Sequence, residues 1–147
     1  MRQRFGRKWD KVSTQLQIDH DFPDLTDDID TQNDIFIDVF NSGDGALFDR
    51  LYRPDAISNF SGASLTGAER KAWFEAFLAP RPHLEATLTH AYVAGDVSLI
   101  GVTFVIDTTD ADGKPQKLIG SCTDVLRRGD DGRWLMAVDR PIMNPPE

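Results

Sequence analysis

The sequence predicts an α+β domain in which one sheet curls around three helices. The chain has 147 residues, enough for one sizeable core and too few for two ordinary domains. In its first half, apolar residues recur at helical spacing, and in its second half they alternate with polar residues as in half-buried strands. Turn sequences divide the second half into four long strands. These observations together define the fold class.

The composition is that of a globular domain and excludes several classes of protein. Hydrophobic residues make up 40% and charged residues 27% of the chain, which argues against disorder. No apolar run approaches the roughly 18 residues that a membrane span needs. The net charge of -8 disfavours binding to the phosphate backbone of nucleic acids. Because no secretory signal is evident and there is a single cysteine, a reducing cytoplasm is the expected compartment.

Residues 1–25 are predicted to form an N-terminal arm, and residues 26–147 the domain proper. Apolar side chains in the arm recur at helical spacing among basic residues, at Phe5, Trp9, Val12 and Leu16. This stripe fits a short amphipathic helix that docks on the domain, on a partner or on an anionic surface. A partly ordered arm without such a role is the simpler alternative.

Capping and turn residues define the first two helices. Thr26 is placed to cap a helix with an acidic first turn, which the turn at 41–43 ends. Asp44 is placed to cap a second, short helix, which Pro54 ends. The buried faces are predicted to consist of Ile29, Phe36, Ile37 and Phe40 in the first helix, and of Leu47, Phe48, Leu51 and Tyr52 in the second.

A short strand is expected around residues 56–60, before the third helix. That helix begins at Thr66, which is spaced to form a capping box with Glu69, and ends at Pro80. Trp73 lies on the apolar face of this helix. We expect its side chain to belong both to the core and to the floor of a pocket. Turns at 95–96, 110–113 and 129–132 then join four strands, over 84–92, 97–107, 116–128 and 133–140.

The last turn is predicted to bring Asp124 and Asp139 to one face of the sheet. If its loop has four residues, Asp124 lies opposite Ala137, and Cys122 lies opposite Asp139. A two-residue loop pairs the aspartates directly, whereas a three-residue loop without a bulge separates them. On the first two alternatives, the aspartates share their face with Leu126, Leu135 and Ala137.

Two carboxyl groups on an apolar, concave face are suited to acid–base catalysis. Burial raises the pKa of a carboxyl group, and a neighbouring carboxyl raises it further for one of the pair. That group would hold its proton near neutral pH and donate it, as general acid catalysis requires. The alternative is that both aspartates lie on an exposed face or bind backbone amides near the strand ends.

The remaining titratable residues carry weaker signals. His90 alternates in phase with Leu88 and Tyr92, so we expect a wall residue with its hydrogen bonds satisfied. Cys122 has no basic neighbour in sequence to lower the pKa of its thiol, so a small wall residue is expected rather than a nucleophile. No two histidines are spaced as metal ligands on one element, and neither a metal site nor an organic cofactor is predicted.

Several short motifs resemble the nuclear-transport-factor-2-like superfamily: Asn41-Ser42-Gly43-Asp44, Leu51-Tyr52-Arg53-Pro54-Asp55-Ala56 and Leu65-Thr66-Gly67. The segments 123–128 and 131–134 resemble its SnoaL-like branch, and the resemblance covers about residues 26–142. It implies the cystatin-like α+β barrel, a cone-shaped, strongly curved antiparallel or mixed sheet around three helices. An apolar pocket between them, and commonly a homodimer through the outer sheet face, are also implied.

The branches of this superfamily suggest roles for individual positions. The ketosteroid isomerase branch uses a tyrosine, a base aspartate and an oxyanion-hole aspartic acid, and the corresponding positions are Phe36, Phe60 and Asp124. Only the last keeps the family's residue. In SnoaL-like polyketide cyclases an aspartate in a similar place acts as acid or base, a role the resemblance gives to Asp124. The limonene epoxide hydrolase branch has an aspartate where Asp139 stands, but its Arg-x-Asp motif has no counterpart.

The combined prediction is a small-molecule pocket protein of SnoaL-like type that moves protons on an apolar carbonyl substrate by isomerisation or cyclisation. Asp124 would be the acid–base group and Asp139 would tune it. The predicted pocket residues are Phe36, Phe60, Trp73, His90, Cys122, Leu126 and Ala137. The alternative is a non-catalytic ligand-binding or association domain. A dry, filled cone beside Asp124 favours association, whereas an open apolar cavity of about 300 Å³ or more there favours ligand binding or catalysis.

Overall fold

The computed structural model describes residues 25–144, so the predicted arm lies outside the described residues except for Leu25, which is buried in the core. The elements in chain order are α1 (Ile29–Asn41), α2 (Gly45–Asp49), β1 (Tyr52–Ser58), α3 (Gly67–Leu78), β2 (His83–Ala94), β3 (Val97–Thr109), β4 (Pro115–Arg128) and β5 (Trp134–Met143). The predicted α+β class and the three helices are confirmed.

The sheet has five strands in the order β1-β5-β4-β3-β2. Strands β2 to β5 form the predicted antiparallel meander. Strand β1 pairs in parallel with β5, so it lies at one edge and β2 at the other. The sheet is therefore curved and mixed, and it does not close into a complete barrel.

The helix ends follow short polar side chains, with two differences from the prediction. The carboxylate of Asp28, not the hydroxyl of Thr26, caps α1 by accepting from the backbone N–H of Thr31 at 3.3 Å. Asp44 caps α2 as predicted, accepting from Leu47 N at 3.0 Å. Thr66 is the N-cap residue of α3, but its side chain makes no cap hydrogen bond there, so the predicted capping box is not formed.

The helices pack against the inner, concave face of the sheet. Asn41, the last residue of α1, joins this helix to β2 by donating to the carbonyl of Leu84 at 3.1 Å and accepting from its N–H at 2.7 Å. Helices α2 and α3 approach each other at Gly45, where an added Cβ would lie 2.4 Å from the Cα of Glu75. None of the helices within residues 25–144 has the length and apolar character that a bilayer crossing requires.

A bulge in β5 changes the predicted register between the last two strands. Leu126 pairs with Met136, but Val125 pairs with Val138, so Ala137 is an extra residue on β5. At the turn Arg128 pairs with Trp134, so the loop has five residues and none of the three loop lengths considered is present. Beyond the bulge Asp124 lies directly opposite Asp139, the pairing expected for a two-residue loop, and not opposite Ala137 as expected for a four-residue loop. Loop length alone therefore did not determine the register, because the extra residue lies within the strand.

A second bulge, in β2, changes the face on which His90 lies. Leu88 pairs with Val102 and His90 with Gly101, which leaves Thr89 as the extra residue. His90 is consequently on the outer face with Tyr92, whereas Leu88 is on the inner face. The imidazole covers Gly101, where a Cβ would lie 2.1 Å from the ring carbon Cε1.

Candidate functional site

A cavity of about 60 Å³ lies between α1 and the inner face of the sheet. Its wall is mostly apolar, and the polar side chains that line it are Gln32, Asn33, Cys122, Asp124 and Asp139. One water molecule needs roughly 10–15 Å³. The cavity therefore has room for a small molecule, or for one end of a larger one, among polar groups from α1, β4 and β5.

Asp124 and Asp139 form a pair of buried carboxyl groups on the cavity wall. They are directly opposite each other on β4 and β5, and their exposed fractions are 8% and 2%. Directly opposite residues on antiparallel strands have Cβ atoms about 4.5–5.5 Å apart. Two ionised carboxylates so close together in a buried site repel each other, so the pair favours one neutral and one charged member.

Hydrogen-bond donors from β1 and the loop after it surround Asp139. The Tyr52 hydroxyl donates to Oδ2 of Asp139, and the backbone N–H of Asn59 donates to Oδ1 at 3.1 Å. These donors reach Asp139 because β1 pairs with β5, with Ser58 beside Asp139. Burial raises the pKa of Asp139, and the hydrogen bonds from Tyr52, Ser58 and Asn59 act in the opposite direction.

Arg70 of α3 places a buried positive charge over the face of the Tyr52 ring. Its Nε donates to Oδ1 of Asp49 at 2.8 Å, and its Nη1 donates to the carbonyl of Ala56 at 2.9 Å. The guanidinium carbon lies 5.4 Å from the centroid of the Tyr52 ring, a cation–π distance. Because this charge also lowers the pKa of Asp139, Asp139 is the member of the pair better suited to be ionised.

Asp124 has a weaker donor and holds its proton more firmly. The Cys122 thiol donates to Oδ1 of Asp124 at 3.1 Å. Burial first, and then the charge of Asp139, raise the pKa of Asp124 to about 8. Asp124 is therefore a neutral carboxylic acid at neutral pH. Burial and the neighbouring Asp124 also raise the pKa of the Cys122 thiol, so Cys122 acts as a donor and not as a thiolate nucleophile.

Four of the predicted pocket residues line the cavity: Phe36, Phe60, Cys122 and Leu126. The described residues of its wall do not include Trp73, His90 or Ala137. Trp73 stacks on Phe77 at a centroid distance of 4.9 Å, one layer behind Phe60. His90 and Ala137 are excluded by the bulges in β2 and β5.

Sequence reasoning missed three polar residues of the site. The apolar spacing predicts Tyr52 on the buried side of the second helix, whereas it is the first residue of β1. Gln32 and Asn33 lie in the stripe of α1 that begins at Ile29 and continues to Phe36, and this stripe lines the cavity. The signal was present, since two adjacent amides interrupt an otherwise apolar helix face at i+3 and i+4.

Within residues 25–144, no group of three or more His, Cys, Asp or Glu side chains is placed to hold a metal ion. The polar groups that line the site are a neutral carboxylic acid, a hydrogen-bonded carboxylate, a thiol donor and two amides. These groups can donate and accept protons and hydrogen bonds.

Fold and cavity together define a class of α+β proteins in which a curved sheet and its helices enclose an apolar cavity with an acidic wall. The family described as the SnoaL-like domain matches residues 34–136, which is more than half of the chain. The chain therefore belongs to the SnoaL-like domain family, and the resemblance stated from its motifs is confirmed.

Solved structures share this fold at low sequence identity. One, from Xanthomonas campestris, is provisionally named a calcium/calmodulin-dependent protein kinase II association domain; its TM-score is 0.67 at 20% identity, covering 80% of this chain and 86% of that one. A ketosteroid isomerase-like protein from Erwinia carotovora atroseptica has a TM-score of 0.66 at 14% identity, with coverages of 76% and 89%.

A nuclear transport factor 2-like superfamily protein from Salmonella enterica serovar Typhimurium gives a TM-score of 0.65 at 12% identity, covering 76% of this chain and 84% of that one. No curated protein matches the chain. At these identities the likeness shows the fold alone, because one fold hosts many unrelated activities.

Proposed function

We propose that the protein binds a small carbonyl compound in the cavity and catalyses proton transfer on it, with Asp124 as the acid–base group. The observation that carries this proposal is the burial of Asp124 directly opposite Asp139 in a mostly apolar wall. A carboxylic acid that stays neutral at pH 7 can donate a hydrogen bond to a substrate carbonyl oxygen. Asp139 tunes this acid, since its charge disfavours the loss of the proton from Asp124.

The proposed chemistry is stabilisation of the enol or enolate form of the substrate. The ionised Asp139 carboxylate on the same wall takes a proton from the carbon next to the carbonyl. Negative charge then develops on the carbonyl oxygen, and the Asp124 carboxyl donates a hydrogen bond to that oxygen. Stabilisation of developing charge in a site that excludes water is commonly a large catalytic contribution. Enol formation is shared by isomerisation and cyclisation of carbonyl compounds, so this step does not depend on which product follows.

The size of the cavity favours a small substrate. Pockets for drug-sized ligands have volumes of about 300–1,000 Å³, whereas this cavity has about 60 Å³. It would hold a single ring or the reacting end of a longer molecule. Small cyclic ketones are therefore suitable first probes.

The test is hydrogen exchange next to the carbonyl. Each ketone is incubated with the protein in deuterated water, and loss of its α-proton signal is followed by NMR. We expect the protein to accelerate exchange and Asp124→Asn to reduce the acceleration by about 10²-fold or more, the usual range for a general acid or base. Asp107→Asn, an exposed carboxylate on β3, is the matched control. Equal exchange with wild type and Asp124→Asn would contradict the proposal.

A second candidate function, association through the outer sheet face, is favoured by one specific feature. Side chains directly opposite one another form an apolar row across all five strands: Tyr92, Leu99, Val125, Val138 and Ile57. Four of them are exposed large hydrophobic residues, at 38–68%. Contiguous exposed apolar surface commonly marks an interaction site.

We infer that this row is the centre of a homodimer interface, a role in keeping with the word association in the name of the Xanthomonas protein. Light scattering should then give twice the monomer mass for wild type. Leu99→Lys and Val138→Lys should give monomers, because each buries a charge in the interface. Thr103→Lys, exposed on the same face away from the row, should remain dimeric. A monomeric wild type would rule out this candidate.

A further inference from the structure

We propose that the cavity selects carbonyl compounds that also carry a hydroxyl group, and that Gln32 and Asn33 of α1 accept the hydrogen bond of that hydroxyl. This inference rests on the proposed function and adds a substrate class to it. Asp124 would recognise the carbonyl end of the ligand, and the two amides would recognise its hydroxyl end.

The orientation of both amides is fixed by their backbone partners. The Gln32 Nε2 group donates to the carbonyl of Thr26 at 2.6 Å. The Asn33 Nδ2 group donates to the carbonyl of Ala86, on β2, at 3.2 Å. Since a carbonyl oxygen can only accept, the atoms that face these partners must be the nitrogens. The remaining amide atoms, Oε1 of Gln32 and Oδ1 of Asn33, are therefore acceptors.

Those two oxygens have acceptor capacity that the fold leaves unused. The hydrogen bonds that Gln32 and Asn33 make within residues 25–144 go through their nitrogens. Both side chains line the cavity, although they are only 5% and 7% exposed. Neither oxygen is a buried atom without a partner, since Ser98 Oγ is the one such side-chain atom among residues 25–144. Both oxygens are therefore open to the cavity, where a ligand hydroxyl can donate to them.

The cavity wall thus offers two opposite kinds of hydrogen-bonding group, one on β4 and one on α1. Asp124, neutral at pH 7, offers a donor, which suits a carbonyl oxygen. Gln32 and Asn33 offer acceptors, which suit a hydroxyl hydrogen and do not suit an ether or a second carbonyl. The apolar wall between them, which includes Ile100 and Val102, suits a hydrocarbon frame. The arrangement fits a hydroxylated ketone better than a plain one.

The experiment compares size-matched ketones on the wild-type protein. The first set is 4-hydroxy- and 4-methylcyclohexanone, and a longer set carries 2-hydroxyethyl, propyl and methoxymethyl groups at the same position. Dissociation constants come from protein-detected NMR, with shifts of the Leu126 and Val102 methyl groups placing the ligand in the cavity. We expect the hydroxyl compound of at least one set to bind about tenfold more tightly than its alkyl counterpart, as one gained hydrogen bond allows. The methoxymethyl compound should show no gain.

Two variants test whether Gln32 and Asn33 cause the tighter binding of the hydroxyl compound. Asn33→Leu and Gln32→Met keep side-chain size and remove the acceptors, so the preference for hydroxyl over alkyl should fall towards unity while the alkyl compound binds as before. Asp38→Asn, on the exposed side of α1, is the control. The wild-type comparison stands even where a variant fails to fold.

The outcomes separate this inference from the proposed function. Equal binding of hydroxyl and alkyl compounds in both sets, or equal binding of the hydroxyethyl and methoxymethyl compounds, overturns the inference and leaves the proposed function intact. If no ketone of either set binds in the cavity, carbonyl recognition fails and both are overturned.

Discussion

The hydroxyl of Tyr52 donates a hydrogen bond to Oδ2 of Asp139 across 87 positions of sequence. This contact connects the two members of the parallel strand pair, β1 and β5, at the wall of the cavity. The Tyr52 hydroxyl and the backbone N–H of Asn59 both donate hydrogen bonds to Asp139. Asp124, on the opposite strand, accepts a weaker hydrogen bond from the Cys122 thiol. The unequal surroundings of the two aspartates are what separate their roles.

Removing this hydroxyl should change which aspartate holds the proton. In Tyr52→Phe, Asp139 loses a donor, so its pKa should rise, and the pKa of Asp124 should fall as its neighbour loses charge. Carbon-detected NMR of the two carboxyl groups across pH measures both changes. Stability should also fall, by about 1–3 kcal/mol for a buried acceptor without its donor. Tyr92→Phe, on the exposed outer face, is the control; matching titrations in both variants would contradict this account.

The neutral Asp124 predicts that stability falls as pH rises. The pKa of Asp124 is about 8 in the folded protein, against an ordinary value of 3.8 that applies to the unfolded chain. Between pH 3.8 and pH 8, the folded state therefore holds a proton that the unfolded state has released. The free energy of unfolding should therefore decrease over this pH range, by on the order of 4 kcal/mol for this group. Urea unfolding at pH 5 and pH 8 measures it. Asp124→Asn should lose most of this slope, whereas Asp107→Asn should keep it.

The Arg70–Asp49 pair should contribute far more to stability than the Arg53–Asp55 pair. Both pairs have Nε–Oδ1 distances near 3 Å, at 2.8 and 3.1 Å, but Arg70 is buried and Asp55 is exposed. Arg70→Met leaves the partly buried Asp49 carboxylate and the buried Ala56 carbonyl without their donor, which costs about 1–3 kcal/mol. Arg53→Met should leave the urea midpoint unchanged. Arg70→Met should also raise the pKa of Asp139, and a normal midpoint in this variant would refute the prediction.

Two glycines should respond differently to an added methyl group. At Gly45 the methyl group would meet the backbone of α3, 2.4 Å from the Cα of Glu75, so two helices must separate. At Gly101 it would meet the exposed ring of His90, which can rotate away. We expect Gly45→Ala to reduce the free energy of unfolding by about 1–3 kcal/mol or more and Gly101→Ala to have little effect. Thermal unfolding of both variants tests this; equal losses would show that backbone contact is not the deciding factor.

Much of the fold could be predicted because its signals are local. The cap at Asp44 and the turn sequences between strands act over a few residues, so they can be recognised in one chain. The prediction that Pro54 ends α2 was wrong, since the helix ends at Asp49 and Pro54 lies within β1. Even such local signals do not always identify the capping residue of a helix. Thr26 and Asp28 are both residue types that cap helices well, and Asp28 is the one that caps α1.

The parts of the site that escaped prediction depend on contacts between distant strands. Nothing in the residues around Tyr52 indicates that it pairs beside Met136, and this pairing is what turns its hydroxyl towards Asp139. The bulges at Thr89 and Ala137 also cannot be recognised in the sequence, because they depend on pairing with the partner strand and not on turn residues. His90 consequently lies on the other face from the one expected.

The bulge at Ala137 has a further consequence for the chemistry of the cavity. If Ala137 were paired as an ordinary strand residue, it would lie opposite Val125, Val138 would take the inward position opposite Asp124, and Asp139 would turn outwards. An in-frame loss of the Ala137 codon would instead remove the extra residue together with the bulge, and Asp139 would stay opposite Asp124. The second carboxyl group of the cavity is therefore preserved when this codon is lost.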